Sequence, residues 1–351
     1  MTTLIDHPMP QHGPRSPITV VDGYVPVIDL ASALGGDAAD RRAVADAIGE
    51  TCETSGFLVV VGHGVPAETL TRMYDATREF FALPQEQKEA LRSDARDPLM
   101  RGFGRKGSLA ASNADATVEE ERARPDLSET FTYNRLGDPG DTSLPPTAGA
   151  GLRLPNKWPA LPGFEDAYRA YYARMEDLAV EIMRLFALAL RLPEDWFDAK
   201  VDRHMTNLTA NYYPAQPVAP DPGQLRKGVH SDWGSLTLLY QDDAPGGLQV
   251  RDKNGDWLDV PVIPGSFVVN IGDLMAIWTN DTWVSTVHRV VNPPREFSHR
   301  ERFSMPFFHQ PNFDTLIECI PTCTGPDTPP KYAPVLSGEY IMDKFRRAYD
   351  L

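Results

Sequence analysis

Cysteine is scarce in this chain, with only Cys52, Cys319 and Cys323 among 351 residues. An odd number at unremarkable spacing excludes a disulfide framework and carries no zinc-finger pattern. A reducing, cytoplasmic setting is the expectation. Positive charge is also short. Thirty-four Lys and Arg face 49 Asp and Glu, a formal net charge of −15, which argues against a general affinity for nucleic acid or anionic membranes. It does not exclude an anionic ligand, because a few buried basic side chains can hold one. No apolar run approaches the length of a membrane span. The opening MTTLIDHPMPQHGPRSP lacks the apolar stretch of a signal peptide. No internal repeat is visible, and the pattern carries no sign of oligomeric state.

What the chain does have is apolar side chains, 42 % of the total, enough for a sizeable core. Residues 1–22 are polar and proline-rich and read as a flexible arm. Val25–Leu30 and Gly56–Val61 read as short strands, and Ala38–Cys52 as a helix. From Pro66 to Leu83, Leu70, Met73, Tyr74, Thr77, Phe80 and Phe81 recur at three- and four-residue steps, which predicts an amphipathic helix. The charged residues 84–97 predict a second, exposed helix. Residues 107–124 read as a solvated loop and 136–162 as a long loop. Phe164–Leu192 is the clearest helix, with an apolar stripe through Tyr168, Tyr171, Tyr172, Met175, Leu178 and Ile182 and Pro193 at its end.

From Met205 the pattern changes to short strands punctuated by Pro245-Gly246-Gly247, Asn254-Gly255 and Pro264-Gly265. Trp257–Val262 and Thr286–Val291 are among the predicted strands. Many short strands with regular turns indicate an all-β sandwich or barrel. Gly338–Tyr349 predicts a closing helix. The expected organisation is one domain over residues 23–351, mostly helical to 200, β-rich from 201 to 315, and ending in a C-terminal segment and helix over 316–351.

The chemistry concentrates in Val229–Leu239, VHSDWGSLTLL. His230 and Asp232 stand two residues apart, so a strand end directs both to one side. His288, in a second predicted strand, is the third candidate. Two histidines and a carboxylate with open positions left over form the ligand set expected of non-haem Fe(II) oxygenases. Beyond them, Arg302 and Ser304 share a strand face. A guanidinium fork beside a hydroxyl suits a carboxylate. Arg300 lies on the same predicted face and competes for that role, but Arg302 is preferred because Ser304 follows it at i+2. Phe308 continues the face and is expected to line the substrate pocket. Trp233 is expected to point away from its ligand neighbours and to pack. His63 and His309 are read as structural.

The ordered set His-x-Asp, a distant His, then Arg-x-Ser resembles the 2-oxoglutarate/Fe(II)-dependent oxygenases of the isopenicillin N synthase-like group. The likeness runs from about Val25 to about Tyr349. It implies a double-stranded β-helix, or jelly roll, flanked by helices. It also implies Fe(II), 2-oxoglutarate and O2 as cofactor and cosubstrates, and oxidation, by default hydroxylation, of a small organic molecule. Asn211-Tyr212-Tyr213-Pro214 resembles a family motif in which Tyr213 would touch the cosubstrate carboxylate and Asn211 would lie beside its iron-binding end. Three alternatives remain open at this point. One is an oxidase that uses no 2-oxo acid, the second an ethylene-forming enzyme that fragments 2-oxoglutarate, and the third a metal-stabilised β-barrel binding protein.

Overall fold

The computed structural model describes residues 18–19, 24–104 and 125–349. Its first strands are β1 Ile18–Thr19, β2 Val27–Asp29, β3 Phe57–Val61, β4 Gly102–Gly104, β5 Glu129–Tyr133, β6 Asn207–Tyr213 and β7 Lys227–His230. There follow β8 Leu236–Gln241, β9 Leu248–Arg251, β10 Trp257–Asp259, β11 Phe267–Ile271, β12 His288–Val290 and β13 Arg302–His309. A last small pair is β14 Leu316–Ile317 and β15 Val335–Leu336. One sheet has nine strands in the order β1-β2-β3-β11-β8-β13-β6-β5-β4, and a second has four in the order β10-β9-β12-β7.

The sequence of β3, Phe-Leu-Val-Val-Val, explains its place. Successive side chains of a strand point to opposite faces, and a strand covered on both faces reads as a continuous apolar run. Phe57 and Val59 enter a core cluster with Val27, Tyr213, Leu248, Val250, Val268 and Val290, residues drawn from both sheets. Leu58 and Val60 turn to a larger cluster shared with the helices. The two sheets thus close on each other through the first cluster, and the helices cover the outer face of the larger sheet through the second. The result is the jelly roll with flanking helices.

The helices follow their local signals. Asp37 caps Ala38–Thr54 by accepting from Ala39 N (2.8 Å) and Asp40 N (3.0 Å). The helix Ala67–Phe81 starts after Pro66 and buries Leu70, Met73, Thr77, Phe80 and Phe81. The 26-residue helix Phe164–Ala189 buries the expected tyrosine-rich stripe. Ring contacts tie these helices to the sheet edge, with Phe80 4.7 Å from Phe131 and Phe131 5.2 Å from Phe164 between centroids. The larger cluster runs from Ile28 to Phe345, so the N-terminal helices and the strands share one core.

Some elements differ from expectation. Ile18–Thr19, inside the expected arm, pair antiparallel with β2; the rest of residues 1–22, and the expected loop 107–124, lie outside the described residues. The exposed helix expected over 84–97 is only Gln85–Glu89. Beyond it, Asp94 and Asp97 side chains take backbone N–H groups at Arg96, Leu99 and Arg101 (2.9, 2.9 and 3.1 Å), the competition that turns helix-like composition into turns. Trp257–Val262 and Thr286–Val291 shorten to β10 and β12, the first ending before Pro261.

Asp97 and Arg101 form a buried ion pair, Nε to Oδ2 at 2.8 Å, with side chains 3 % and 0 % exposed. Removing one partner of such a pair strands a buried charge and costs about 3–5 kcal/mol. Asp97→Ala should therefore lower the unfolding free energy measured by urea titration by that order; an unchanged value would mean that Arg101 finds another partner.

Candidate active site

Three cross-strand registers assemble the site. β7 and β12 pair antiparallel with His230 opposite His288. β8 and β11 pair with Thr237 opposite Asn270. β6 and β13 pair with Tyr213 opposite Arg302 and Asn211 opposite Ser304.

His230, Asp232 and His288 are a group whose ligand atoms all lie within 4.8 Å of one another. His230 Nδ1 is 2.9 Å from Gly228 O and His288 Nδ1 is 3.2 Å from Thr286 O. Donation to a carbonyl puts the proton on Nδ1 and leaves each Nε2 lone pair free. Those Nε2 atoms lie 3.9 and 3.7 Å from Asp232 Oδ1. Burial, then the neighbouring His288 and Lys227, hold His230 well below the ordinary imidazole range, so it is neutral at pH 7, the state a metal requires.

Asp232 is oriented with equal care. Its Oδ2 accepts from Thr237 Oγ1 at 2.6 Å and from Asn270 Nδ2 at 2.8 Å. Oδ1 is left turned toward the two imidazoles. Such a set can hold a divalent cation with one net positive charge remaining. Neither Thr237 nor Asn270 was singled out from the sequence. Asn270 carried a signal: it is the one polar residue in the apolar strand Phe-Val-Val-Asn-Ile. We expect Asn270→Ala and Thr237→Val each to weaken iron binding by roughly 10- to 100-fold, the usual effect of losing a group that orients a metal ligand. Iron titration followed calorimetrically checks this; affinity within twofold of wild type in both variants would refute it.

Arg302 is 1 % exposed. Its Nη2 donates to Gln241 Oε1 at 2.6 Å, while Nη1 is buried without a partner. Its guanidinium carbon lies 5.1 Å from the centre of the Tyr213 ring, and Asn211 Nδ2 is 3.4 Å from Ser304 Oγ. Arg300, the rival, is 47 % exposed and faces Asp243 at 3.6 Å. Burial therefore separates the two arginines in the same sense as the Ser304 two residues beyond Arg302. His63 bonds Gly265 O at 2.7 Å, and His309 Nδ1 meets Ser235 Oγ at 2.8 Å. Both serve the frame rather than the triad.

A cavity of about 160 Å³ adjoins His230 and Asp232. Asn211 and Phe308 line it, and so do Trp233, Gln310, Ile341 and Phe345. Trp233 packs against the main core cluster, its ring edge-on to that of Phe345 at 5.1 Å, and it also borders the cavity. Ile341 and Phe345 belong to the C-terminal helix Ser337–Tyr349, the expected closing helix, whose place beside the site carried no sequence signal. Lys344 Nζ and Tyr340 OH hold that helix to Asp273 Oδ2 (2.9 and 3.3 Å), and Asp273 N donates to Asp232 O at 2.8 Å.

Two family models cover this architecture. Residues 25–161 match the non-haem dioxygenase in morphine synthesis N-terminal family, and residues 206–311 match the 2OG-Fe(II) oxygenase superfamily. The chain is 33 % identical to the 2-oxoglutarate-Fe(II) type oxidoreductase hxnY of Emericella nidulans, over 92 % of this chain and 90 % of that protein. The chain belongs to the 2-oxoglutarate/Fe(II)-dependent oxygenases. Validamycin A dioxygenase of Streptomyces hygroscopicus is 32 % identical, covering 92 % of this chain and 86 % of the relative. Among solved structures, Neurospora crassa T7H in complex with alpha-KG and thymine superposes with a TM-score of 0.81 at 32 % identity, over 94 % of this chain and 99 % of that one. As an oxygenase of this family, the protein carries out Fe(II)- and 2-oxoglutarate-dependent oxidation of a small molecule, with dioxygen as the usual cosubstrate. No helix among the described residues is long and apolar enough to cross a membrane.

Proposed function

We propose that His230, Asp232 and His288 are the Fe(II) ligands, and that Arg302, Ser304 and Tyr213 bind the far carboxylate of 2-oxoglutarate, with Asn211 beside its iron-binding end. The reaction proposed is hydroxylation of a small organic molecule with release of succinate and CO2. One observation carries the reading. The Asp232 carboxylate has one oxygen immobilised by Thr237 and Asn270 and the other facing the Nε2 atoms of His230 and His288. A structural carboxylate would have both oxygens satisfied by protein donors. A carboxylate readied for a metal has one in reserve.

When bound, the iron supplies the dioxygen chemistry that decarboxylates the 2-oxo acid and oxidises the substrate. The chain supplies orientation and exclusion of water. Arg302, buried and opposite Tyr213, offers an unpartnered N–H to an anion. Phe308, Trp233 and Phe345 give the substrate an apolar wall. Gln310, whose Oε1 is buried without a partner, would accept a hydrogen bond from that molecule. A cavity of about 160 Å³ suits a compact substrate, since ~150 Å³ is room for a benzene-sized ring. The protein would act as a single domain over residues 23–351. The three unpaired cysteines accord with a cytoplasmic setting, and the acidic balance with a partner that is neither nucleic acid nor membrane.

Anaerobic titration of the Fe(II) protein with 2-oxoglutarate, followed by admission of oxygen, tests this. Saturable binding and then succinate are expected. No binding would favour the oxidase that uses no 2-oxo acid, and ethylene in place of most succinate would favour the fragmenting enzyme. No Fe(II)-dependent turnover at all would favour the metal-stabilised binding protein.

A further inference from the structure

A second arginine lies against the same tyrosine as Arg302. Arg226 immediately precedes β7, four residues before His230, and is 0 % exposed. Its guanidinium carbon is 5.8 Å from the Tyr213 ring centre, against 5.1 Å for Arg302. Its hydrogen-bond partners are all neutral. Nη1 donates to Pro245 O and Gly246 O (2.8 and 2.9 Å) and Nη2 to Arg300 O (3.1 Å). Its Nε, like Nη1 of Arg302, is buried with no partner. Carbonyls orient this guanidinium without neutralising it.

The cradle is built closely. Gly246 has φ +80°, and a Cβ there would meet Pro293 N at 2.4 Å and Arg226 Nη1 at 2.9 Å. The acid whose charge both Arg226 and Arg302 feel is Asp242. Its carboxylate already accepts from Phe303 N (2.8 Å) and Ala244 N (3.2 Å), and burial pushes its pKa above the usual carboxylate range. Burial, then the charge of Arg302, press Arg226 down to about 10, which leaves it protonated at pH 7. Two buried cations therefore share one ring with no carboxylate in an ion pair to either among the described residues. Buried charge left so calls for a compensating ligand charge.

We propose that Arg226 is a positioning residue for the cosubstrate: a second fixed positive charge that acts through Tyr213, and through its field on the carboxylate held by Arg302, to select a dianionic 2-oxo acid over a monoanionic one. This rests on Arg302 receiving the far carboxylate. Arg226 does not touch the reacting atoms.

The test compares 2-oxoglutarate with 2-oxopentanoate, which keeps the 2-oxo acid end and the chain length but ends in a methyl group. Both are titrated anaerobically into Fe(II)-loaded wild type, Arg226→Met and Arg226→Lys, the weaker monoanion by displacement of 2-oxoglutarate. A unit charge ~6–10 Å from another in protein surroundings changes affinity by about 10- to 100-fold. Arg226→Met should lose 2-oxoglutarate affinity by that factor, with 2-oxopentanoate affinity and iron content held within about twofold. Arg226→Lys, which keeps the charge but not the three-carbonyl grip, should recover most of the loss. Equal losses for both ligands, or failure of the Lys variant alongside the Met variant, would reduce Arg226 to a structural role and overturn the proposal. So would unchanged 2-oxoglutarate affinity in Arg226→Met. Arg302→Ala, run in parallel, separates the two ideas. Full 2-oxoglutarate affinity there would sink the carboxylate role of Arg302 itself, whereas loss there with no change in Arg226→Met would sink only the present inference.

Discussion

Iron should be lost almost completely from His288→Ala and from His230→Ala, and turnover with it. The two imidazoles come from strands nearly sixty residues apart in the chain but directly opposite in the sheet. Each presents its Nε2 to Asp232 Oδ1. Taking one away leaves a two-ligand site open to water. Loss of a group that only orients a ligand already weakens metal binding by about 10- to 100-fold, so loss of the ligand itself should exceed that range. Elemental analysis of the purified variants measures it directly, and succinate formation follows as a second readout. Wild-type iron content in either variant would remove that histidine from the ligand set. Asp232→Glu extends the same logic. It keeps the charge, but the extra methylene displaces the carboxylate from Thr237 and Asn270, so iron should be held poorly. Normal iron affinity with only a shifted pH–rate profile would instead make Asp232 a general base.

The second large effect is expected at Arg302. With iron still bound, Arg302→Ala should weaken 2-oxoglutarate by about 10²- to 10^3.5-fold, the affinity equivalent of the ~3–5 kcal/mol lost when one partner of a buried charged pair is truncated. Arg302→Lys should also be impaired. An ammonium cannot reproduce the planar fork that bonds Gln241 through Nη2 and keeps Nη1 in reserve. Anaerobic titration separates this from loss of metal, because the iron content of both variants should match wild type. Loss of iron alongside 2-oxoglutarate would mean that Arg302 supports the fold of β13 rather than the cosubstrate.

Local pattern alone made much of this legible. The β-branched run at Phe57–Val61 and the tyrosine stripe of Phe164–Ala189 announced elements buried on two faces and on one. His230 and Asp232 were visible because a two-residue spacing at a strand end directs two side chains the same way, although β7 itself ends at His230. Arg302, Ser304 and Phe308 were visible by the same alternation. The error at 84–97 has a local cause too: aspartate side chains compete for backbone N–H groups, and composition cannot say which side of that competition prevails.

What the chain determines by itself, then, is which residues share a face within one element, because the periods of strand and helix are set by backbone geometry. It could name the two histidines, the carboxylate and the arginine. It could not say what stands across from them. Thr237 opposite Asn270, Tyr213 beside both Arg302 and Arg226, and Phe345 of the C-terminal helix against Trp233 are pairings between residues 13 to 112 positions apart. Register and sheet order decide those pairings. Register is a property of how whole strands bury their apolar faces against one another, so the orientation of Asp232 and the walls of the cavity were decided only when the two sheets closed.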